Sequence, residues 1–171
     1  MRLWHQFLIP YLDNKRLLSQ HRECCALRGK GWGKKHSVVD YVFKYDLAHL
    51  YAYHRIVMHE MEKRRYTVDG HWYNRCYRGK SLRNASLDDV GAYLLDDVGA
   101  YLGKGLFDPS LDPVDACIKA KGALIYPEHD LAYLKECLLN LKSKGASLIK
   151  CGLIDLLLVK LDLLAIEGSA S

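Results

Sequence analysis

The stretch LLSQHRECCALRGKGWGKKH, Leu17–His36, decides how the first half of the chain is read. At 100° per residue, Leu17, Leu18, His21, Cys24, Cys25 and Arg28 fall within one arc, so the segment predicts a helix, with His21, Cys24 and Cys25 towards the core. Glu23 lies well outside that arc, with Arg16, Ser19 and Leu27 as its helical neighbours. Asp13 or Asn14 can cap the start near residue 14, and Gly29 ends the helix after Arg28. The loop that follows, Arg28–His36, combines cations, glycines and Trp32. Glycine lets backbone approach phosphate, cations neutralise it, and an indole can stack on a base. A solvated connection with Trp32 folded onto the core is the structural alternative.

Outward from this segment, the charge is uneven. Residues 1–85 hold 17 Lys+Arg against 7 Asp+Glu, while residues 86–171 hold 8 against 13. A basic half suits a polyanion such as nucleic acid. The 171 residues, half of them hydrophobic, suffice for one core, and no apolar run is long enough to span a membrane. The six cysteines form no CxxC pair, which fits reduced thiols in a cytoplasmic protein.

The predicted class is all-α: a single domain, residues 1–171, of about four to five helices. Leu3–Leu12 reads as a short extended or helical piece broken at Pro10. Ser37–Arg65 reads as one long helix whose basic end, Lys63–Arg65, complements the helix dipole. Tyr66–Asn84 is irregular and carries HWYNRCYRGK, His71–Lys80, rich in aromatics and arginine. The octet LDDVGAYL occurs at 87–94 and again at 95–102, a local duplication within an acidic, insert-like stretch, 86–115. Residues 107–114 read as a turn-rich link. Helices are predicted from about Pro127, with Leu131, Leu134, Leu138 and Leu141 buried, and from about Ser147 to Glu167, with a fraying tail.

Metal and thiol chemistry are weakly signalled. His54 and His59 are five apart and share no helix face, and HEME at 59–62 is not HExxH. His21 and His54 fall on apolar stripes, as core histidines do. Cys24 or Cys25 with His21 one turn back would face the core, with no oxyanion loop in view. The Arg22-Glu23 pair offers an outward carboxylate beside arginines, suited to acid/base work or to stabilising a cation.

At LLSQHRE, Leu17–Glu23, the sequence resembles the signature helix of pyrimidine dimer DNA glycosylases of the endonuclease V type. HEMEKRRY at 59–66 is similar to the end of a long helix in that family. YRGK at Tyr77–Lys80 and YPEHDLAYLKECLLNLKSKG at Tyr126–Gly145 resemble an uncharacterised bacterial branch of it. The resemblance implies an all-α DNA repair enzyme, a glycosylase and AP lyase acting on double-stranded DNA at pyrimidine dimers or related damaged bases. It implies no metal and no cofactor. An N-terminal amine would attack C1′, form a Schiff base and cut the strand by β-elimination, with a glutamate assisting. Glu23 matches that glutamate and Arg22 the neighbouring DNA-contacting arginine. Because Arg2 is too large for ordinary methionine removal, the amine implied is that of Met1. Arg2, Arg22, Arg28, Lys30, Trp32, Lys34, Lys35, Arg78 and Lys80 are the expected DNA contacts. A non-catalytic nucleic-acid-binding module of the same fold is the second reading. An interaction protein using the leucine-rich last helix is the third. The expected oligomeric state is a monomer by default.

Overall fold

A computed structural model describes residues 2–29, 39–91, 110–120, 124–146, 148 and 152–169. The secondary-structure elements among those residues are all helices, with no strand. Helix α1 spans Asn14–Arg28, as expected, and Asp13 caps it by accepting the Arg16 N–H. Gly29 closes it, its N–H bonding back to the Cys25 and Ala26 carbonyls. Before α1, Gln6–Tyr11 forms a 3₁₀ helix, with Pro10 inside it and every residue from Leu3 to Ile9 buried. Such burial at a chain's start needs tight anchoring, and three side chains supply it. The Gln6 N–H donates to His129 Nδ1, His5 Nε2 meets the His129 carbonyl at 2.7 Å, and the Tyr53 hydroxyl donates to the Trp4 carbonyl at 2.6 Å.

The single helix expected over 37–65 is two pieces in the described part: a 3₁₀ helix, Asp40–Lys44, and α2, Leu47–Lys63. The break is a capping event. Tyr45 is extended, and the Asp46 side chain accepts the His49 N–H to start a new helix. The basic end of α2 serves the fold. Arg64 bonds the Pro10 and Leu12 carbonyls and Asn14 Oδ1, and it pairs with Glu60, fastening the N-terminal segment to α2. Asn14 opens α1 and Arg64 follows α2, so the two helices run antiparallel.

Residues 66–86 are irregular apart from a 3₁₀ turn at Gly70–Tyr73. Of the duplicated octets, only Leu87–Gly91 is described. Leu87–Val90 makes a one-turn helix, α3, opened by a Ser86–Asp89 capping box. The second octet lies outside the described residues. Part of the expected turn-rich link is helix α4, Pro113–Lys119, which starts with proline at its first turn behind the Asp112 cap. Helix α5, Leu131–Ser143, begins at an Asp130 cap, later than the expected start near Pro127, and buries Leu134, Leu138 and Leu141 of the expected stripe, while Leu131 is half-buried. Gly145 then takes a φ of +59°, which favours glycine. Helix α6 runs Leu153–Ser169, further than the fraying tail predicted. It lies antiparallel to α5, joined by Lys142–Asp155 and Lys135–Asp162 ion pairs.

One core links all of this: Leu3, Phe7 and Leu8 from the N-terminal segment, Leu17 and Cys24 from α1, Tyr53 and Val57 from α2, Leu138 from α5 and Leu157 from α6. Cys24, Cys25, Cys76, Cys117 and Cys137 are free thiols. No described helix is long and apolar enough to cross a membrane.

Candidate active site

A cleft of about 420 Å³ opens on the α1 face opposite the core stripe, lined by Arg2, Trp4, Lys15, Arg16, Ser19, Glu23, Asn140 and Lys144. Its size lies within the ~300–1,000 Å³ usual for ligand sites. Helical spacing explains the α1 wall: Arg16, Ser19 and Glu23 lie on successive turns of one face, as sequence periodicity predicted. The N-terminal segment supplies Arg2 and Trp4, and α5 with the residue after it supplies Asn140 and Lys144. Four cations thus surround one carboxylate.

Glu23 is half-buried and held from two sides. Gln20 Nε2 donates to its Oε2 at 3.2 Å, and the Arg2 backbone N–H also bonds its carboxylate. Burial pushes the Glu23 carboxyl above its ordinary range, while the N-terminal charge, these donors and Lys144 pull it back in part. Gln20 is itself buried, and its Oε1 accepts the Trp4 N–H at 2.9 Å. One amide side chain therefore ties Glu23 to the chain's first residues. Sequence reading missed Gln20, Lys15 and Lys144. Periodicity says nothing of which distant helix closes a groove.

The expected DNA contacts separate into three groups. Arg2 lines the cleft, paired with Glu136 at 2.8 Å and lying over the Tyr133 ring. Arg22 and Lys80 are exposed, but neither lines the cleft. Arg28 and Arg78 both bond backbone carbonyls within the fold. Arg28 is 0 % exposed. Its guanidinium donates to the carbonyls of Trp72, Asn74 and Tyr77 at 2.8, 2.6 and 3.0 Å, and lies over the rings of Tyr51 and Trp72. Arg78 reaches back to the Arg28 and Gly29 carbonyls and covers the end of α1. Met1, Lys30, Trp32, Lys34 and Lys35 lie outside the described residues.

Behind α1, away from the cleft, His21, Cys25 and His54 bring three ligand-type atoms within 4.8 Å of one another. The donors define a different arrangement. Arg28 can only donate, so His54 Nδ1 accepts from it at 3.2 Å and Nε2 carries the proton. His54 Nε2 then donates to His21 Nδ1 at 2.8 Å, and His21 Nε2–H faces Cys25 Sγ at 3.7 Å. A metal on His54 Nε2 would place a proton on Nδ1, against the Arg28 donor. Burial, then neighbouring arginines, lower the pKa of both histidines and keep the chain neutral. Burial also pushes the Cys25 thiol up to about 12, the opposite of what a thiolate nucleophile needs.

The cleft thus offers a held carboxylate, a cationic rim and the start of the chain, and most of it is built from the first quarter of the sequence. No curated protein and no solved structure matches the chain. Residues 1–74 do match the family model of pyrimidine dimer DNA glycosylases. The family resemblance read at Leu17–Glu23 therefore stands, and it covers the residues that carry Glu23 and six of the eight side chains lining the cleft.

Proposed function

We propose that this protein is a DNA glycosylase with AP-lyase activity on damaged, pyrimidine-dimer-type bases in double-stranded DNA. The observation that carries the reading is the held Glu23 carboxylate, bonded to the Arg2 N–H inside a cleft rimmed by Arg2, Lys15, Arg16 and Lys144. One residue separates that N–H from the α-amine of Met1. An α-amine ordinarily loses its proton at pH ~7.7–8.0 against ~10.4 for lysine, so it is the amine most available as a neutral nucleophile near pH 7.

In the proposed reaction the amine attacks C1′ of the damaged nucleotide, and the glycosidic bond breaks with the base as leaving group. The attached nitrogen loses a proton and the C1′–O4′ bond opens, O4′ taking a proton, which leaves an iminium whose positive charge the Glu23 carboxylate stabilises. Abstraction of a 2′ proton then expels the 3′ phosphate, cutting the strand. A carboxyl raised by burial is suited to such proton transfers. The cationic rim holds the flanking phosphates, and extruding the lesion costs a few kcal/mol, least at a damaged site.

The test is borohydride trapping on UV-irradiated and abasic duplexes. A covalent adduct mapped to Met1, lost or greatly slowed in Glu23→Gln, supports the reading. Salt-sensitive DNA binding with no adduct on either duplex refutes the enzyme reading and leaves a nucleic-acid-binding module.

A further inference from the structure

We infer that α6 carries a self-association seam and that its occupant is a second copy of this chain. Helix α6 has two apolar faces. One, including Leu153, Leu157, Leu158 and Leu161, belongs to the core. The other is open: Leu156, Val159, Leu163 and Ile166 are 65 %, 57 %, 55 % and 65 % exposed. Their spacing is three, four and three residues, the a/d pattern of a two-helix seam, and it falls on the side of α6 that its own protomer leaves uncovered. Leu139 of α5, 49 % exposed, extends the patch, since it sits between the Lys135–Asp162 and Lys142–Asp155 ion pairs that join α5 to α6.

The charges beside this stripe identify the occupant. Asp155, Asp162 and Lys160 border it, and each is already paired within the protomer, Lys160 with both Asp112 and Asp115. Exposed Glu167, one turn after Leu163, adds a carboxylate with no ion pair among the described residues, so the rim carries one net negative charge. It offers nothing to a polyanion, and it lacks the cationic flanks that hold a helix on an anionic membrane. An identical apolar stripe is complementary to it, and in an antiparallel two-fold pairing the two Glu167 side chains fall at opposite ends of the seam.

The area is sufficient. At roughly 100 Å² of apolar surface per aliphatic side chain, scaled by these exposures, the patch offers about 300 Å² per copy. Two copies give ~600 Å². With about 60 % of an interface apolar, the total buried is on the order of 1,000 Å², the lower bound for a specific contact. The dimer is thus weak and concentration-dependent. It leaves both clefts open, because Asn140 and Lys144 lie on another face of α5 from Leu139.

Sedimentation velocity of the full chain, from low to high micromolar concentration, tests this. The expected result is a reversible shift towards twice the 19.6 kDa of one chain, unaffected by raised salt. Leu163→Glu and, separately, Leu156→Lys should each hold the protein monomeric at all concentrations with unchanged circular dichroism. Both sites are exposed, and if one variant loses its helical signal the other decides. A wild type that stays monomeric, a dimer that survives in the folded variant, or a dimer dissolved by salt each overturns the inference.

Discussion

Replacing Arg28 separates a structural arginine from a DNA-binding one. In Arg28→Ala the carbonyls of Trp72, Asn74 and Tyr77 lose a charged donor, the Asn74 carbonyl keeping its bond from the Tyr77 N–H, and two cation–π contacts vanish. A buried acceptor left unpaired costs ~1–3 kcal/mol. These three belong to residues that are half-buried or, for Asn74, exposed, so water replaces part of the loss and about 1 kcal/mol each is the better figure. The ring contacts add about 1 kcal/mol apiece, and a cavity adds more. Against this stands relief of the desolvated guanidinium, whose pKa is lowered by burial. The net expected loss is about 3 kcal/mol, or ~6–12 °C in Tm for a chain of this size. Urea unfolding at fixed protein concentration measures it, with an unchanged m-value as the control. Arg28→Lys should recover only part, because an ammonium cannot satisfy the fork or stack on both rings. A loss below ~1 kcal/mol, or a salt slope of DNA binding lowered by about one in folded Arg28→Ala, would overturn the structural role.

Lys144→Ala should weaken DNA binding about equally on all sequences and lower the salt slope by about one, as read by titration at several ionic strengths. Glu23→Gln should abolish trapping while raising stability at neutral pH. Its carboxyl is raised in the folded state, so ionisation costs stability as pH rises, and thermal melts at pH 7 against a lower pH should show the difference shrinking in acid. Burial lowers the His5 pKa from 6.5 to about 4. The folded state therefore binds fewer protons than the unfolded one below 6.5, and stability falls as pH drops from 6.5 to about 4, by about 3 kcal/mol from this group alone. A flat urea midpoint across that window would contradict the burial of His5.

The helices were legible where one local rule governs. Asp13 and Gly29 bracket α1, and the leucine stripe of α5 lies where its period predicted. The reading failed where two local signals compete. The apolar pattern across 37–65 runs through a capping site, and Asp46 wins because its side chain satisfies an N–H that a continuous helix would not leave free. Charge was the least legible quantity. A basic first half suggested a broad polyanion surface, yet Arg28, Arg64 and Arg78 are spent on backbone carbonyls inside the fold. Arginine is suited to that task because its planar fork satisfies several carbonyls at once. A count of cations cannot separate such staples from a DNA face.

The cleft has a divided origin, and that bears on what it recognises. Six of its lining residues come from the part matched to the glycosylase family, and they include Glu23 and the Arg2 and Trp4 segment that Gln20 ties to it. The proposed chemistry, an amine beside a carboxylate, would draw on Glu23 and on the Met1 amine that precedes Arg2 in this part of the chain. Asn140 and Lys144 come from beyond the matched region, on an α5 docked to the N-terminal segment through Arg2–Glu136 and the Tyr133 hydroxyl on the Leu3 carbonyl. That wall can change what fits the cleft without altering the amine or the glutamate. Lesion preference should therefore respond to Asn140 substitutions, and the trapping chemistry to Gln20 and Glu23. A Gln20→Leu variant that keeps DNA affinity but traps many-fold more slowly would separate the two halves of the site, because loss of Gln20 removes one of the two donors holding the Glu23 carboxylate and the acceptor of the Trp4 N–H.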